Sequence, residues 1–227
     1  MSPTEDALRR VTPAIEDYLK AIYLIQQRSE EVSTSLIAEQ LGGFRPASVT
    51  GMIKKLAEMQ LVSYTPYYGV QLTPAGERLA LEVIRHHRLI ELFLVKALGY
   101  RWDEVHDDAD QLEHVISEKL EERIAAWLGH PTLDPHGDPI PTIEGIMPDA
   151  RGEILADMNL DTDVRIVRVG EQQAERLRYL ADLGLVPGAQ VRIVAVAPFD
   201  GPVSVLAGTT IHPIDRRLAR TIYVEPA

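Results

Sequence analysis

The stretch PASVTGMIKKLAEMQLVSYTPYYGVQLTP, residues 46–74, carries the reading that decides the fold. Pro46 suits the first turn of a helix, where its missing N–H has no intrahelical partner to lose, and Val49, Met52, Ile53 and Leu56 recur at helical spacing to about Gln60. The period then shortens. Leu61–Thr65 and Val70–Thr73 have strand character, and Pro66 to Gly69 between them predicts a hairpin. Thr73-Pro74 opens the next helix.

Toward the N-terminus, Thr12-Pro13 begins a first helix with Ile15, Leu19, Ile22, Tyr23 and Ile25 on one face. Ser33 or Thr34 is placed to cap a short second helix, Leu36–Leu41, and Gly42-Gly43 stops it. Three helices followed at once by a hairpin make the plan of a winged helix-turn-helix, whose third helix enters the DNA major groove. The residues expected to meet DNA are Arg45, Pro46, Ala47, Ser48, Thr50, Gly51, Lys54 and Lys55, with Tyr67 and Tyr68 in the hairpin. Small residues allow close approach, the lysines supply charge, and the helix N-terminus attracts phosphate.

Toward the C-terminus, a long helix runs to about Leu98, with Gly99 as its stop. Further helical patterns cover Asp103 to Ser117 and Glu118 to Leu128. Residues 129–150 form a proline-rich connector through Pro131, Pro135, Pro139 and Pro141. The β-like runs Val164–Val169, Gln190–Ala197, Val203–Leu206 and Thr221–Val224, with one helix at Glu175–Leu183, then predict a small barrel. The fold class is α+β: a winged helix-turn-helix over 1–73, a helical region over 74–145, and a small β-barrel over 151–227.

Composition excludes whole classes. The 227 residues are 45% hydrophobic and contain no Cys, which removes disordered tails, disulfide scaffolds, Fe–S clusters, thiolate metal sites and cysteine nucleophiles. Met1–Arg10 has no apolar targeting segment and no span reaches membrane length, so a cytoplasmic protein without a membrane partner is expected. The net charge of −11 looks hostile to nucleic acid, yet residues 1–75 and 151–227 each carry only −1, and −9 falls between 76 and 150. Six of the seven His lie between 86 and 136, so acid and imidazole share one region.

That region has ligand spacing. His87 and Glu91 stand at i,i+4 on the long helix, and His106, Asp110, Glu113 and His114 at 0, +4, +7 and +8 on the next, a stripe roughly 100° wide. Asp17 lies among the apolar positions of the first helix, and an acid there faces either water or an inward partner. Oxygen donors with imidazole suit Mn²⁺ or Fe²⁺. His86 is read as a surface residue, and Asp107 and Asp108 as solvated. Asp110-x-x-Glu113-His114 departs from the inverted zinc-peptidase motif at its first residue, and there is no P-loop or dinucleotide fingerprint.

With these motifs in view, the chain resembles the diphtheria-toxin-repressor family of metal-dependent transcriptional regulators over nearly its whole length. The carrying residues are Glu16-Asp17-Tyr18-Leu19-x-x-Ile22-Tyr23, Pro46-Ala47-Ser48-Val49-Thr50, Val70-x-Leu72-Thr73-x-x-Gly76, His87-Arg88-Leu89-x-Glu91, Val105-His106-Asp107-x-Ala109-Asp110-x-x-Glu113-His114-Val115 and Pro135-His136-Gly137-x-Pro139-Ile140-Pro141. The tail is similar to a small iron-transport accessory domain through Leu183-Gly184-Leu185-x-Pro187-Gly188 and Ala197-Pro198-Phe199-x-Gly201-Pro202-Val203.

The resemblance implies a primary, activating metal site of Asp17, Asp110, Glu113 and His114. It also implies an ancillary site of His87, Glu91 and His106 with Glu171 from the barrel, hence up to two ions per protomer. Iron-type members have Met where Asp17 stands and Cys where Asp110 stands. The two oxygen donors here are similar to the manganese-responsive members, which carry Glu where this chain has Lys20. In three-domain members a Gln follows the barrel Glu by three positions; here that place is Ala174, with Gln172 and Gln173 beside it. The resemblance makes 74–145 a helical metal-binding and dimerisation domain and 151–227 a small Src-homology-3-like β-barrel, and the implied function is a homodimeric repressor of manganese or iron homeostasis genes on a palindromic double-stranded DNA operator. The alternative is a metalloenzyme, a hydrolase with an accessory helix-turn-helix. A third reading makes the barrel a partner-binding module.

Overall fold

The computed structural model describes residues 11–43, 46–65 and 69–227. The chain divides into two compact units: residues 1–86 with 141–146, and residues 87–140 with 147–227.

In the first unit, α1 (Pro13–Gln26) buries Ile15, Leu19, Ile22 and Ile25 along one face. Helix α2 (Thr34–Gln40) starts where Ser33 Oγ accepts the N–H of Leu36 at 3.2 Å. It ends at Gly42-Gly43, both left-handed, with Gly43 N–H donating to the Ala38 carbonyl. Helix α3 (Pro46–Glu58) packs Val49, Ile53 and Leu56 inward against α2 and strand β1 (Val62–Thr65). Strand β2 (Gly69–Leu72) pairs antiparallel with β1, Val62 opposite Leu72 and Thr65 opposite Gly69. The expected helices and hairpin are therefore present, with boundaries moved by one or two residues.

Helix α4 (Pro74–Leu98) begins in the first unit and ends in the second. Thr73 Oγ1 accepts the Gly76 N–H at 3.2 Å and donates to the Gln60 carbonyl at 2.8 Å, which ties the helix start to the end of the α3 turn. Gly76 is required there, because a Cβ at this position would stand 2.0 Å from the Leu61 carbonyl oxygen.

In the second unit, α4 packs Leu89 and Leu92 with Ile124 and Ala125 of α6 (Glu118–Trp127), and Ile90 and Leu94 with Val105 and Ala109 around α5 (His106–Leu112). The sequence pattern predicted one helix from Asp103 to Ser117; the structure shortens it. Ser117 adopts an extended conformation and caps α6 through the Leu120 N–H, so the chain must leave α5 before it. Glu113 and His114 consequently lie in the turn after α5. His86, expected at the surface, is only 7% exposed because α4 buries most of its circumference.

The C-terminal part is one six-stranded antiparallel sheet. Strands β3 (Glu153–Ile154), β4 (Asp163–Val169), β5 (Gln190–Val196), β6 (Val203–Ala207), β7 (Thr210–Ile214) and β8 (Ile222–Pro226) lie in the order β3-β8-β4-β5-β6-β7. Irregular registers in β4 and β5 bend it around a core of Val164, Ile166, Ile193, Val205 and Val224. Helix α7 (Ala174–Asp182) covers that core with Leu177 and Leu180, and the short α8 (Arg216–Ala219) precedes β8. The sequence pattern missed β3, β7 and α8. β3 has two residues, β7 is interrupted by Pro213, and α8 has one turn, all too short for periodicity to register.

Candidate metal centre

Packing in the second unit follows directly from the α4–α5 seam. Val105 and Ala109 sit against Ile90 and Leu94, so the residues one step onward, His106 and Asp110, arrive at the His87–Glu91 pair on α4. His87 becomes a hub. Its Nε2 lies 3.0 Å from Glu91 Oε1 and 3.1 Å from His106 Nδ1. Its Nδ1 lies 2.5 Å from Glu113 Oε2 and 3.2 Å from Asp110 Oδ1. His114 Nε2 is 3.5 Å from the other Glu113 oxygen. The grouping thus survives the early end of α5, because Glu113, its C-cap, keeps helical dihedrals and still donates its N–H to the Ala109 carbonyl at 2.9 Å.

The connector adds two donors that sequence reasoning did not assign as ligands. Asp134 Oδ1 accepts the backbone N–H groups of His136 (2.8 Å) and Asp138 (2.9 Å), a side-chain-closed turn. His136 Nε2 donates to the Trp102 carbonyl at 2.9 Å, which turns Nδ1 toward Glu91 Oε2 at 3.6 Å. The Val169 N–H donates to the His136 carbonyl, and a Cβ on the left-handed Gly137 would stand 2.1 Å from the Val167 carbonyl. Strand β4 therefore holds the connector that presents His136. The signal was in the sequence: Asp134-Pro135-His136-Gly137 has a turn-closing acid and a glycine where φ must be positive.

Among the described residues of the second unit two donor groups result, His87–His106–Asp110 and Glu91–Asp134–His136, each with ligand atoms within 4.8 Å of one another. A cavity of about 20 Å³, the room of roughly one water molecule, is lined by His87, Glu91, His106, Asp134, His136 and Glu171. Burial opposes charge on Glu91, but His87, His106 and His136 outweigh it and hold its carboxyl well below the usual range. Burial likewise opposes charge on His136, yet Asp134 and Glu91 raise its pKa to about 10. Burial pushes Asp134 up. Buried acids and imidazoles supply hard oxygen and borderline nitrogen donors, and the chain has no thiolate, so the donor set fits Mn²⁺ or Fe²⁺.

Of the residues predicted for metal, His87, Glu91, His106 and Glu171 share this cavity, Asp110 and Glu113 meet His87, and His114 meets Glu113. Asp17 stands on α1 of the first unit, half-buried beside a groove of about 420 Å³ that also meets Tyr18, Ser48, Gly51 and Lys55. Asp107 is exposed and Asp108 half-buried.

On α3, Ala47, Ser48, Gly51, Lys54 and Lys55 are exposed and Thr50 half-buried, while Val49, Ile53 and Leu56 face the core. This is the face predicted to meet DNA. Pro46 opens the helix. Arg45, Tyr67 and Tyr68 lie outside the described residues.

Family models divide the chain into three successive matches. Residues 10–70 match the iron-dependent repressor N-terminal DNA-binding domain, residues 73–142 the iron-dependent repressor metal-binding and dimerisation domain, and residues 154–226 the FeoA domain. The iron-dependent repressor IdeR of Mycobacterium tuberculosis is 30% identical over 96% of this chain and 99% of its own. The diphtheria toxin repressor of Corynebacterium diphtheriae is also 30% identical, with the same coverage. Among solved structures, a manganese-dependent transcriptional repressor in complex with manganese is 38% identical, with a TM-score of 0.86 over 94% of this chain and all of that one. The manganese regulator SloR is 32% identical, with a TM-score of 0.80 over 96% of this chain and all of that one.

Proposed function

Because the chain belongs to the iron-dependent repressor family, we propose that it is a homodimeric repressor of manganese or iron homeostasis genes, acting in the cytoplasm. Its operator affinity is set by Mn²⁺ or Fe²⁺. The members it resembles are DNA-binding repressors, which leaves the metalloenzyme reading without support. The observation that carries the proposal is the convergence of His87, Glu91, His106, Asp134, His136 and Glu171 on one ion-sized cavity, in the same chain as an exposed, lysine-bearing α3. The oxygen-and-nitrogen donor set accepts either ion, and the 38% identity to a manganese-dependent repressor favours manganese.

The primary, activating site is assigned to Asp17, Asp110, Glu113 and His114, the positions matching the family's motif. The ancillary site is assigned to His87, Glu91, His106 and Glu171, and the connector pair Asp134 and His136 belongs with it. A divalent ion in these sites supplies charge neutralisation and cross-linking between elements, not bond chemistry. Residues 1–73 read DNA, 74–145 bind metal and dimerise, and 151–227 form the barrel. Exposed Leu98, Leu112, Val115, Leu120 and Trp127 on the helical segment provide apolar surface for a dimer.

Metal joining Asp17 to the Asp110–His114 segment selects arrangements in which two α3 helices fit successive major grooves of one palindrome. Metal and DNA must then favour each other reciprocally. The test is titration of Mn²⁺ and Fe²⁺ into the protein, with operator binding measured at each metal concentration. DNA affinity that ignores both metals overturns the proposal.

A further inference from the structure

Resting on the two-ion reading above, we infer that Arg176 is a built-in competitor for Glu171 and sets how tightly the ancillary ion is held. Glu171 divides its two oxygens. Oε1 accepts the backbone N–H groups of Gln172 at 2.9 Å and Gln173 at 3.0 Å, and Oε2 accepts Arg176 Nη1 at 2.9 Å. The first pair of bonds belongs to the backbone leading into α7 and fixes the carboxylate whatever Arg176 does. The second belongs to a side chain that is 56% exposed, whereas Glu171 is 8% exposed and lines the cavity with Glu91 and His136.

A guanidinium and a divalent ion at Glu171 Oε2 draw on one negative charge, so each weakens the other. Arg176 is the movable partner, because more than half of it already lies in water. Helix α7 keeps its own anchor without it: Arg178 Nε donates to Asp103 Oδ2 at 3.0 Å, and Leu177 and Leu180 are buried in the barrel core. Removing the Arg176 charge therefore leaves Glu171 in place and free of its competitor. Water on the arginine side screens the pair and keeps it weak, so the gain in ion affinity is about two- to fivefold.

The experiment titrates Mn²⁺ alone into full-length wild type, Arg176→Gln, Arg176→Lys and Glu171→Gln, by calorimetry and by electron paramagnetic resonance of free Mn²⁺. The expected result is a weaker-bound ion held about two- to fivefold more tightly by Arg176→Gln, near wild type in Arg176→Lys, and lost in Glu171→Gln. The tighter-bound ion is unchanged throughout. If Glu171→Gln loses the weaker ion but Arg176→Gln binds it no better than wild type, the competition is overturned while the two-ion reading stands. If Glu171→Gln binds both ions normally, Glu171 is not a ligand and the competition is overturned; if wild type binds one ion only, the two-ion reading itself fails.

Discussion

Glu91 Oε2 on α4 faces His136 Nδ1 of the connector at 3.6 Å, while Glu91 Oε1 faces His87 Nε2 on its own helix at 3.0 Å. One buried carboxylate thus joins a helix pair set by local spacing to a loop histidine brought in from 45 residues further along the chain. The loop reaches it only because β4 and the Trp102 carbonyl hold His136 in position.

His136→Ala is accordingly expected to weaken the ancillary ion by about ten- to a hundredfold and to leave the primary ion alone. Mn²⁺ stoichiometry by calorimetry checks this, with circular dichroism confirming the fold. Two unaltered binding events would exclude His136 from the site.

Glu113→Ala is expected to abolish metal-stimulated operator binding. Glu113 is 2% exposed and contacts His87, so its loss removes a buried charge from the centre of the cluster. A gel-shift titration with Mn²⁺ reads the effect, and a wild-type response would show the assignment to be wrong.

Lys54→Ala is expected to weaken DNA binding and to flatten its salt dependence by about 0.9 in log–log slope, the release of roughly one counterion, without altering Mn²⁺ affinity. Lys54 is exposed on α3. An unchanged slope removes it from the phosphate contacts.

Asp103 makes stability depend on pH. Burial disfavours its charge, but hydrogen bonds from Arg101 Nε (2.9 Å) and Arg178 Nε (3.0 Å) prevail and hold its carboxyl below the ordinary value. With the folded value lowered, the contribution is complete above the unfolded pKa of about 3.9 and disappears as pH falls through the folded one. Asp103→Asn should cost about 1 kcal/mol at neutral pH, because both arginines are half-exposed, and the difference from wild type should close in acid. Urea melts across that range measure it; a pH-independent difference would contradict the charge argument.

Gly76→Ala should destabilise the first unit by about 1–3 kcal/mol, since the new Cβ would meet the Leu61 carbonyl at 2.0 Å and α4 would have to shift. A thermal melt that matches wild type would show that the contact yields freely.

Much of the head was legible locally. Ser33 caps α2, Gly42-Gly43 stops it, and the α3 pattern sorts Val49, Ile53 and Leu56 inward from Ser48, Gly51 and Lys54 outward. Each is decided within a few residues of chain. The α5 boundary was misjudged because the 0, +4, +7, +8 spacing continues past Leu112, whereas the cap of the next helix at Ser117 ends α5 early. His86 was misjudged because a histidine pair says nothing about which ring the neighbouring elements cover.

The sequence by itself determined the reading helix and its wing, the helix that carries His87 and Glu91, and a hard-donor metal chemistry. These follow from periodicity, capping and composition, which act at short range. Only the tertiary structure decided that Glu113 meets His87, that Asp134 and His136 join Glu91, and that Glu171 lines the same cavity. Those meetings depend on which apolar faces pack, Val105 and Ala109 on Ile90 and Leu94, and on where β4 receives the connector. Burial of apolar surface has no fixed span along the chain, so spacing in the sequence does not encode it.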